Sequence, residues 1–433
     1  MRLAWKRPRL HLFIFKIPDR IKRAYARENN FRKTLEVFCM EEGKKNKAIT
    51  RRAFIGGTVG VAGALGAMSV LGGCATAGAA AAGWPPHRAD SPIFQPTRIG
   101  SLELKNKMIR AAMAEFRFTG ELGSPTPALI QMWGDDAAGG VGMVMTGGIS
   151  VLKDDIPETF FGGFSDPSQI PLYREAADTV HRNGAKLCAQ IMMVGERPHL
   201  MVDTISREDI QRAVNGFAQT TVMLRDAGFD AINFHFAHGF LLANFWSGSL
   251  NTRTDEYGGS AENRARFAFE VVEATRRAVG RDFPITAKIN GNEHTIRPGS
   301  SQEETNFYVQ GLADRGVDAV EVSGAGGAAR LDILSKEDQN YFSRDARMIA
   351  RSVNVPLMLT GGIRNVMLME EALRHNNNIV AFGMARTILA EPELPNIWQG
   401  NTNYNPRCIA CNFCLAELVA HRRVVCVLDQ NRA

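Results

Sequence analysis

The sequence predicts an α/β fold, a closed (β/α)8 TIM barrel with a short C-terminal cysteine-rich extension. From about residue 100 to 390, short apolar runs alternate with amphipathic helical patterns, as in parallel strands joined by helices. Eight such units in roughly 290 residues fit one closed barrel better than an open doubly wound sheet. No Gly-x-Gly-x-x-Gly follows a predicted strand, so a Rossmann dinucleotide site is not supported.

The predicted strands are the short apolar runs 107–113, 142–145, 185–190, 231–235, 285–289, 319–323, 356–360 and 379–382. Helical periodicity marks residues 170–183, 207–227, 261–279, 303–315, 344–352 and 365–374. Gly184, Gly228, Gly280 and Gly316 stand at or just after four helix ends, where a left-handed residue is favoured. A strand follows each of them within a few residues, which supports the alternation.

The composition is that of an ordinary globular chain. Its 433 residues are 45% apolar and 22% charged, which excludes a disordered, collagen-like or polytopic membrane protein. The net charge of +6 comes from the N-terminal tail, because residues 1–74 hold 16 Lys and Arg against 5 Asp and Glu. The rest of the chain holds 35 against 40. A nucleic-acid-binding function is therefore excluded, since it needs basic residues in the folded part.

Residues 40–90 are predicted to be a twin-arginine signal and linker. Arg51 and Arg52 precede an apolar, Gly/Ala-rich segment at residues 54–71, and small residues follow it. Residues 71–74 read LGGC, which resembles a bacterial lipobox with Cys74 as the acylated residue. We therefore expect an exported protein, periplasmic or attached to the membrane through lipidated Cys74. An uncleaved membrane anchor is the alternative.

Residues 1–39 are basic and loosely apolar, and they precede the signal. Because signals of this kind start near the N-terminus, we expect the true start at Met40, with residues 1–39 a translated upstream region. The alternative is a basic tail that lies on a membrane surface. Residues 91–400 then form the barrel and residues 401–433 the cysteine-rich segment.

The chemistry of a (β/α)8 barrel lies at the C-terminal ends of its strands. Strands seven and eight end in glycine-rich turns at Gly361, Gly362 and Gly383, and Arg386 follows. Backbone N–H groups at such ends form a phosphate cradle, to which an arginine adds a charge-assisted contact. Simple tight turns are the alternative.

Two histidines three residues apart, His235 and His238, stand where strand four ends. Positions three apart face opposite sides of a strand, so the chain must turn between them if both reach one site. Two histidines at this spacing also occur in protein cores, with their hydrogen bonds satisfied, or as part of a metal site. The metal interpretation lacks a third ligand at an obvious spacing.

A resemblance to a known family rests on two adjoining segments. Residues 233–242 and 251–264 read NFHFAHGFLL and NTRTDEYGGSAENR. They resemble the signature of the old yellow enzyme family of FMN-dependent barrels, and the resemblance runs from FQPTRIG at residue 94 to RTILAEP at residue 386. It extends to CIACN at residue 408, which is similar to the iron–sulfur branch that includes the 2,4-dienoyl-CoA reductases and trimethylamine dehydrogenase.

The resemblance implies an FMN site over the mouth of the barrel. Ala112 and Met113 would hold the ring through backbone contacts, with Gly148 letting it approach. Gln190 would hydrogen-bond the pyrimidine edge, and Lys288, in place of the family arginine, would stand beside N1 and O2. The phosphate would be held by Gly361, Gly362, Gly383 and Arg386. His235 and His238 would grip the electron-withdrawing oxygen of the substrate.

Three further positions depart from the family pattern. The tyrosine that commonly donates a proton to the substrate carbon is Phe240, which has no proton to give. The residue that tunes the flavin after the methionine is Ala114, and a histidine after the glutamine appears as Met193. We therefore expect a proton from water or another side chain, or a different reaction.

Four cysteines cluster near the C-terminus, at Cys408, Cys411, Cys414 and Cys426. Thiolates at these spacings suit a four-iron cluster or a zinc ion, and a vestigial disulfide is a further alternative. Iron–sulfur members of the family usually have three residues, not two, between the second and third cysteine. We interpret the cysteines as ligands of a possible 4Fe-4S cluster.

The predicted function is an exported FMN-dependent oxidoreductase that exchanges electrons with a small enone- or carbonyl-like substrate. Its redox partner would be a protein if the chain is exported, since export removes it from the cytoplasmic nucleotide pool, and NAD(P)H otherwise. The first alternative is a cytoplasmic NAD(P)H-dependent ene-reductase. The second is a lipoprotein that binds flavin or another ligand without catalysis.

Overall fold

A computed structural model describes residues 90–156, 161–291, 300–324, 339–421 and 424–428. All of them belong to the second of two units into which the chain divides, residues 86–433. Met40, the pair Arg51 and Arg52, and Cys74 lie outside the described residues, as does the whole interpretation of residues 1–89. Within the described part, no helix combines the length and the hydrophobicity that crossing a membrane requires.

Eight parallel strands close into a barrel, as the sequence predicts. They are β1 Met108–Arg110, β2 Met143–Ser150, β3 Lys186–Met192, β4 Ala231–Phe236, β5 Ile285–Asn290, β6 Ala319–Ser323, β7 Leu357–Thr360 and β8 Ile379–Met384. Each strand pairs in parallel with the next, and β8 pairs with β1 to complete the ring. The strands are buried along almost their whole length, because one face fills the barrel and the other lies under helices.

An outer layer of helices follows the strands. The six predicted helices are present as Ile170–Arg182, Arg207–Asp226, Ala261–Val279, Gln302–Asp314, Ser343–Ala350 and Val366–His375. Three of them begin at a serine whose side chain accepts a backbone N–H of the first turn: Ser206, Ser260 and Ser301. These caps explain why the helices start where the periodicity places them.

Sequence reasoning missed a helix after β1, Pro127–Ala138. Its start carries a recognisable signal, since Thr126 accepts a hydrogen bond from the backbone N–H of Leu129 at 3.3 Å and Pro127 occupies the first turn. Shorter helices were also missed: Leu241–Trp246, Arg386–Ala390, Leu394–Gly400 and Phe413–His421.

A hairpin covers the N-terminal end of the barrel. Its strands, Thr97–Ile99 and Leu102–Leu104, pair antiparallel. The turn holds Gly100 at φ +56°, and a Cβ there would lie 2.8 Å from the side chain of Asp318, so this position requires glycine. Ser101 Oγ donates to the carbonyl of Asp282 at 2.6 Å. The C-terminal ends of the strands, where (β/α)8 barrels carry their active sites, lie at the opposite end.

A buried ion network ties β1 to β2 and to the helix Pro127–Ala138. Arg110 donates to Glu115 Oε1 at 2.5 Å and to Asp136 Oδ2 at 3.1 Å, and all three side chains are almost fully buried. Glu115 Oε2 accepts from the backbone N–H of Gly147 at 3.0 Å. Burial raises the pKa of Asp136 to about 7, although the charge of Arg110 acts in the opposite direction. The network fixes the ends of the first two strands, where the candidate site begins.

Candidate active site

His235 and His238 meet at the C-terminal end of β4. Their ring centroids lie 5.0 Å apart with an interplanar angle of 84°. The chain turns between them because His238 adopts φ +61°, in the left-handed region. Asn290 Oδ1 accepts from the His238 backbone N–H at 3.1 Å, and Ser323 Oγ lies 3.1 Å from His238 Nε2. Side chains from β5 and β6 therefore hold the turn.

Both histidines are neutral. Burial, the proximity of His238 and the charge of Lys288 hold the pKa of His235 well below its usual range. Burial and the charge of Lys288 lower the pKa of His238 to about 3. The backbone N–H of Ala237 donates to His235 Nδ1 at 3.3 Å. Since a backbone N–H can only donate, Nδ1 is the acceptor and the proton of His235 is on Nε2.

Phe240 lies directly against this pair. Its ring is 4.7 Å from that of His235 and 5.5 Å from that of Phe161, edge to face in both cases. Ala114 packs against the same small apolar cluster, whose buried members include Met192. Phe240 and Ala114, two positions that depart from the family pattern, thus lie in one apolar wall beside the histidines. Neither side chain can donate a proton.

A hydrogen-bonded polar layer crosses the barrel beneath the histidines. Gln190 Nε2 donates to Asn233 Oδ1 at 2.9 Å, and Asn233 Nδ2 donates to Glu321 Oε2 at 3.2 Å. Lys288 Nζ lies 3.2 Å from Glu321 Oε1, with both side chains 2% exposed. The structure therefore brings the predicted residues Gln190 and Lys288 together through two residues that sequence reasoning missed. The sequence signal for them was a polar residue between two apolar ones within a strand: Asn233 in INF and Glu321 in VEV.

The three residues predicted to contact the flavin ring lie at or near the ends of β1 and β2, and their surroundings differ. Ala112 and Met113 follow β1 and are half-buried. Gly148 is buried within β2, and a Cβ there would lie 2.2 Å from Met192 Sδ and 3.1 Å from Phe161 Cδ1. Only glycine lets these side chains approach the strand so closely. Met193 is completely buried, so it is part of the core.

The glycine-rich ends of β7 and β8 are not equivalent. Gly361 and Gly362 have φ values of +142° and +69°, and a Cβ at Gly362 would lie 2.7 Å from Tyr341 Cζ. Arg386 donates to the Tyr341 hydroxyl at 3.2 Å, which joins these residues in one group. Gly383 instead faces the neighbouring strand, because its Cβ would lie 2.0 Å from Thr360 Oγ1. Tyr341 was missed by sequence reasoning, since it follows a long connection without a motif.

Arg386 also reaches the C-terminal cysteines. It begins the helix Arg386–Ala390, whose N-terminus no side chain caps, and its Nη1 donates to Asn412 Oδ1. The four predicted cysteines border one small cavity of about 10 Å³ that Arg386 also lines. The loop between them turns at Ala410 and Asn412, whose φ values are +54° and +62°. The predicted cluster ligands and the predicted phosphate arginine are therefore neighbours.

Burial dominates the chemistry of these thiols. It raises the pKa of Cys414 to about 12, and it raises the pKa of Cys411, while the charge of Arg386 acts in the opposite direction in both cases. None of the five cysteines in the described residues forms a disulfide. Across the same described ranges, no three His, Cys, Asp or Glu side chains are arranged to hold a metal ion.

Comparisons with known proteins place the chain in a known family. The model of the NADH:flavin oxidoreductase / NADH oxidase family matches residues 92–201 and 198–405. The metal reductase of Desulforamulus reducens is 31% identical over 364 residues, 78% of this chain and 53% of that protein. The NADH oxidase of Thermoanaerobacter brockii is 30% identical over 353 residues, 74% of this chain and 52% of that protein. This chain thus spans about half the length of these curated relatives.

A solved structure shares the fold. The 2-naphthoyl-CoA reductase in complex with 2-naphthoyl-CoA superposes with a TM-score of 0.72 at 22% identity, over 77% of this chain and 56% of that chain. The closed barrel, the polar residues at its strand ends and the family match lead to one conclusion. The chain belongs to the NADH:flavin oxidoreductase / NADH oxidase family.

Proposed function

We propose that the chain exchanges electrons between FMN and a small enone- or carbonyl-like substrate whose oxygen is held by His235 and His238. The observation that carries the proposal is the pair of adjacent neutral histidines at the end of β4, with the buried cation Lys288 nearby. A neutral imidazole donates a hydrogen bond to a carbonyl oxygen, and the bond strengthens as charge develops there. The Nε2 proton of His235 meets that requirement.

The side chains present fit FMN. Gln190 and Lys288 place an amide and a buried cation on one side of the strand ends, which suits the polar pyrimidine edge of the flavin. Gly361, Gly362 and Arg386 group at β7 and β8, with Gly383 in the adjoining strand, which suits the phosphate. Ala112, Met113 and Gly148 would border the ring. When bound, FMN supplies both hydride transfer and single-electron transfer.

Lys288 has a defined role in this arrangement. A cation beside the pyrimidine edge stabilises the negative charge of reduced FMN. Lysine supplies the charge but not the planar fork of an arginine. Phe240 cannot protonate a substrate carbon, so the proton for an alkene reduction comes from water or from another side chain. The substrate class is therefore proposed from the oxygen-binding pair alone.

We further propose that Cys408, Cys411, Cys414 and Cys426 hold a 4Fe-4S cluster. Four thiols that border one cavity are the donor set that such a cluster needs. No three of them are arranged to hold a metal ion in the described ranges, so ligation requires that the side chains move together and lose their protons. The raised pKa of Cys414 favours its thiol form until a metal binds. A bound cluster would supply one-electron transfer. Arg386, on the wall of the cavity, would offset part of its negative charge. Zinc is the alternative occupant.

Iron and acid-labile sulfide analysis of the purified protein tests the cysteine site. About four irons and four sulfides per chain are expected for the unaltered protein, and loss of most of both in Cys414→Ser. Cys188→Ser is the matched control, since Cys188 is buried in β3, away from the cavity. One zinc per chain, or the same iron content in both variants, would contradict the cluster proposal.

Export by the twin-arginine route, with or without acylation of Cys74, completes the proposal. An exported flavoprotein has little access to pyridine nucleotides, so its partner would be a one-electron carrier protein. Cell fractionation and flavin reduction by NADH or by a low-potential one-electron donor separate the alternatives. A cytoplasmic protein that NADH reduces rapidly would instead be an NAD(P)H-dependent ene-reductase, a candidate that the NADH oxidase relative supports. Stable flavin binding without turnover by either donor would favour a binding lipoprotein.

A further inference from the structure

Glu321 is a buried carboxylate at the centre of β6. The proposed reaction assigns it no role. It is 1% exposed and lies between the apolar residues Val320 and Val322. A charged carboxylate is costly to bury unless its oxygens are hydrogen-bonded and its charge is matched. The contacts of Glu321 meet both conditions, and they connect it to the proposed flavin site.

Three neighbouring strands hold this carboxylate. Oε1 lies 3.2 Å from Lys288 Nζ of β5 and accepts from Thr360 Oγ1 of β7 at 2.7 Å. Oε2 accepts from Asn233 Nδ2 of β4 at 3.2 Å. Because both oxygens are bound from different directions, the carboxylate has little freedom to rotate or retreat from Lys288.

The same contacts join the two residues proposed for the pyrimidine edge of FMN. Gln190 donates to Asn233, Asn233 donates to Glu321, and Glu321 pairs with Lys288. The amide and the ammonium are therefore positioned by one continuous hydrogen-bonded bridge across β3, β4, β6 and β5. A lysine, unlike an arginine, has a single flexible cationic group, so this bridge sets where its charge lies.

Charge is poorly screened at this position. Lys288 and Glu321 lie in the water-excluded interior of the barrel, where Coulomb interactions are several times stronger than in solvent. The carboxylate therefore cancels part of the positive charge that Lys288 would present to a neighbouring group. Removing the carboxylate while leaving the lysine would make the surroundings more favourable to an anion.

We propose that Glu321 is a positioning residue that holds the Lys288 ammonium at the flavin edge and, by offsetting its charge, lowers the reduction potential of the bound FMN. The proposal rests on the proposed placement of FMN beside Lys288. A purely structural carboxylate, present only to compensate a buried lysine, would affect stability and leave the potential unchanged.

The test is the FMN midpoint potential of the holoenzyme, measured by dye-coupled titration for Glu321→Gln. We expect the preference for reduced over oxidised FMN to rise about tenfold, a positive shift of about 30 mV for a two-electron couple. Glu321→Asp keeps the charge but draws it back by one methylene group, so a smaller shift in the same direction is expected. If Glu321→Gln does not fold, the aspartate variant decides. A potential equal to that of the unaltered protein, or a more negative one, would overturn the proposal.

Two further variants separate the inference from the proposal on which it rests. Lys288→Met should lower the potential, and the effect of Glu321→Gln should be smaller in that background than in the unaltered protein, because the part that acts through Lys288 is lost. An unchanged potential in Lys288→Met would overturn the placement of FMN. A lowered potential there, combined with no effect of Glu321→Gln alone, would overturn only the role of Glu321. Glu103→Gln is the matched control, since Glu103 pairs with Arg98 on the surface, in the hairpin at the opposite end of the barrel.

Discussion

The rings of His235 and His238 lie 5.0 Å apart and almost perpendicular, and a single left-handed residue, His238 itself, makes that contact possible. Along a regular strand the two side chains would face opposite sides. The turn brings the two neutral imidazole rings to one point at the mouth of the barrel. The proposed substrate site depends on this geometry, and so do the predictions that follow.

Replacing either histidine with alanine should weaken binding of a small enone or oxyanion by about 1 kcal/mol or more while FMN remains bound. The purified variants should keep their yellow colour, and ligand affinity is read from the perturbation of the flavin absorption spectrum. His375→Ala is the control, because His375 is exposed on an outer helix. Loss of FMN together with poor folding would show that the pair is a core element instead.

Phe240→Tyr should create or increase reduction of an activated alkene. The phenylalanine ring already lies edge to face on His235, so the change adds only a hydroxyl group next to the substrate site. General acid catalysis is worth roughly 10²–10⁴-fold in rate. Steady-state turnover with a one-electron donor measures the gain, with Phe307→Tyr on an exposed helix face as the control. An unchanged rate would mean that proton delivery does not limit the reaction.

Arg386→Ala should weaken FMN binding by on the order of 1.5–3 kcal/mol, because it removes a charge-assisted contact to the phosphate. The dissociation constant follows from quenching of FMN fluorescence when apoprotein is added. Arg351→Ala, which changes an exposed arginine just after the helix Ser343–Ala350, should bind FMN as the unaltered protein does. Equal affinities in the two variants would remove Arg386 from the phosphate site and leave it a neighbour of the cysteines only.

Asp136 should make stability fall as pH rises from about 4 to 7. Its folded pKa, about 7, lies above the ordinary value of 3.8, so the folded state binds the proton more tightly than the unfolded state does. The stabilisation is fully present below the pKa of Asp136 in the unfolded state and is lost as the pH rises through its pKa in the folded state. In this range the free energy of unfolding falls by at most about 1.4 kcal/mol per pH unit.

Urea denaturation at several pH values tests this dependence. Asp136→Asn should flatten the curve of unfolding free energy against pH, whereas Asp135→Asn, its exposed neighbour on the same helix, should not. The same slope in both variants would assign the pH dependence to other groups.

The sequence alone was sufficient to predict the strands of the barrel and six of its helices. Eight apolar runs and six amphipathic helices are visible because burial imposes a period on each element, and the glycines and serines at their ends are local signals. Glu321 and Asn233 were visible too, as polar residues within apolar strands. Their partners were not, because Gln190, Lys288 and Thr360 meet them only through the register between strands.

Other site residues left no local signal at all. Tyr341 lies on Gly362 and binds Arg386, yet it follows β6 through a connection that has no motif. The neighbourhood of Arg386 and Cys414 joins the barrel to the C-terminal segment, and no spacing rule connects them. The family resemblance indicated which residues matter; the structure was needed to show which of them touch.

The most direct test of the account is the rate at which the reduced holoenzyme is reoxidised by an activated enone in a stopped-flow experiment without oxygen. We expect enone to restore the oxidised flavin spectrum in the unaltered protein. The rate should be at least about tenfold slower in His235→Ala/His238→Ala, with FMN still bound, since the proposed contacts of both side chains with the substrate oxygen are lost. Equal rates in the two proteins, at equal FMN content, would contradict the claim that this histidine pair holds the substrate.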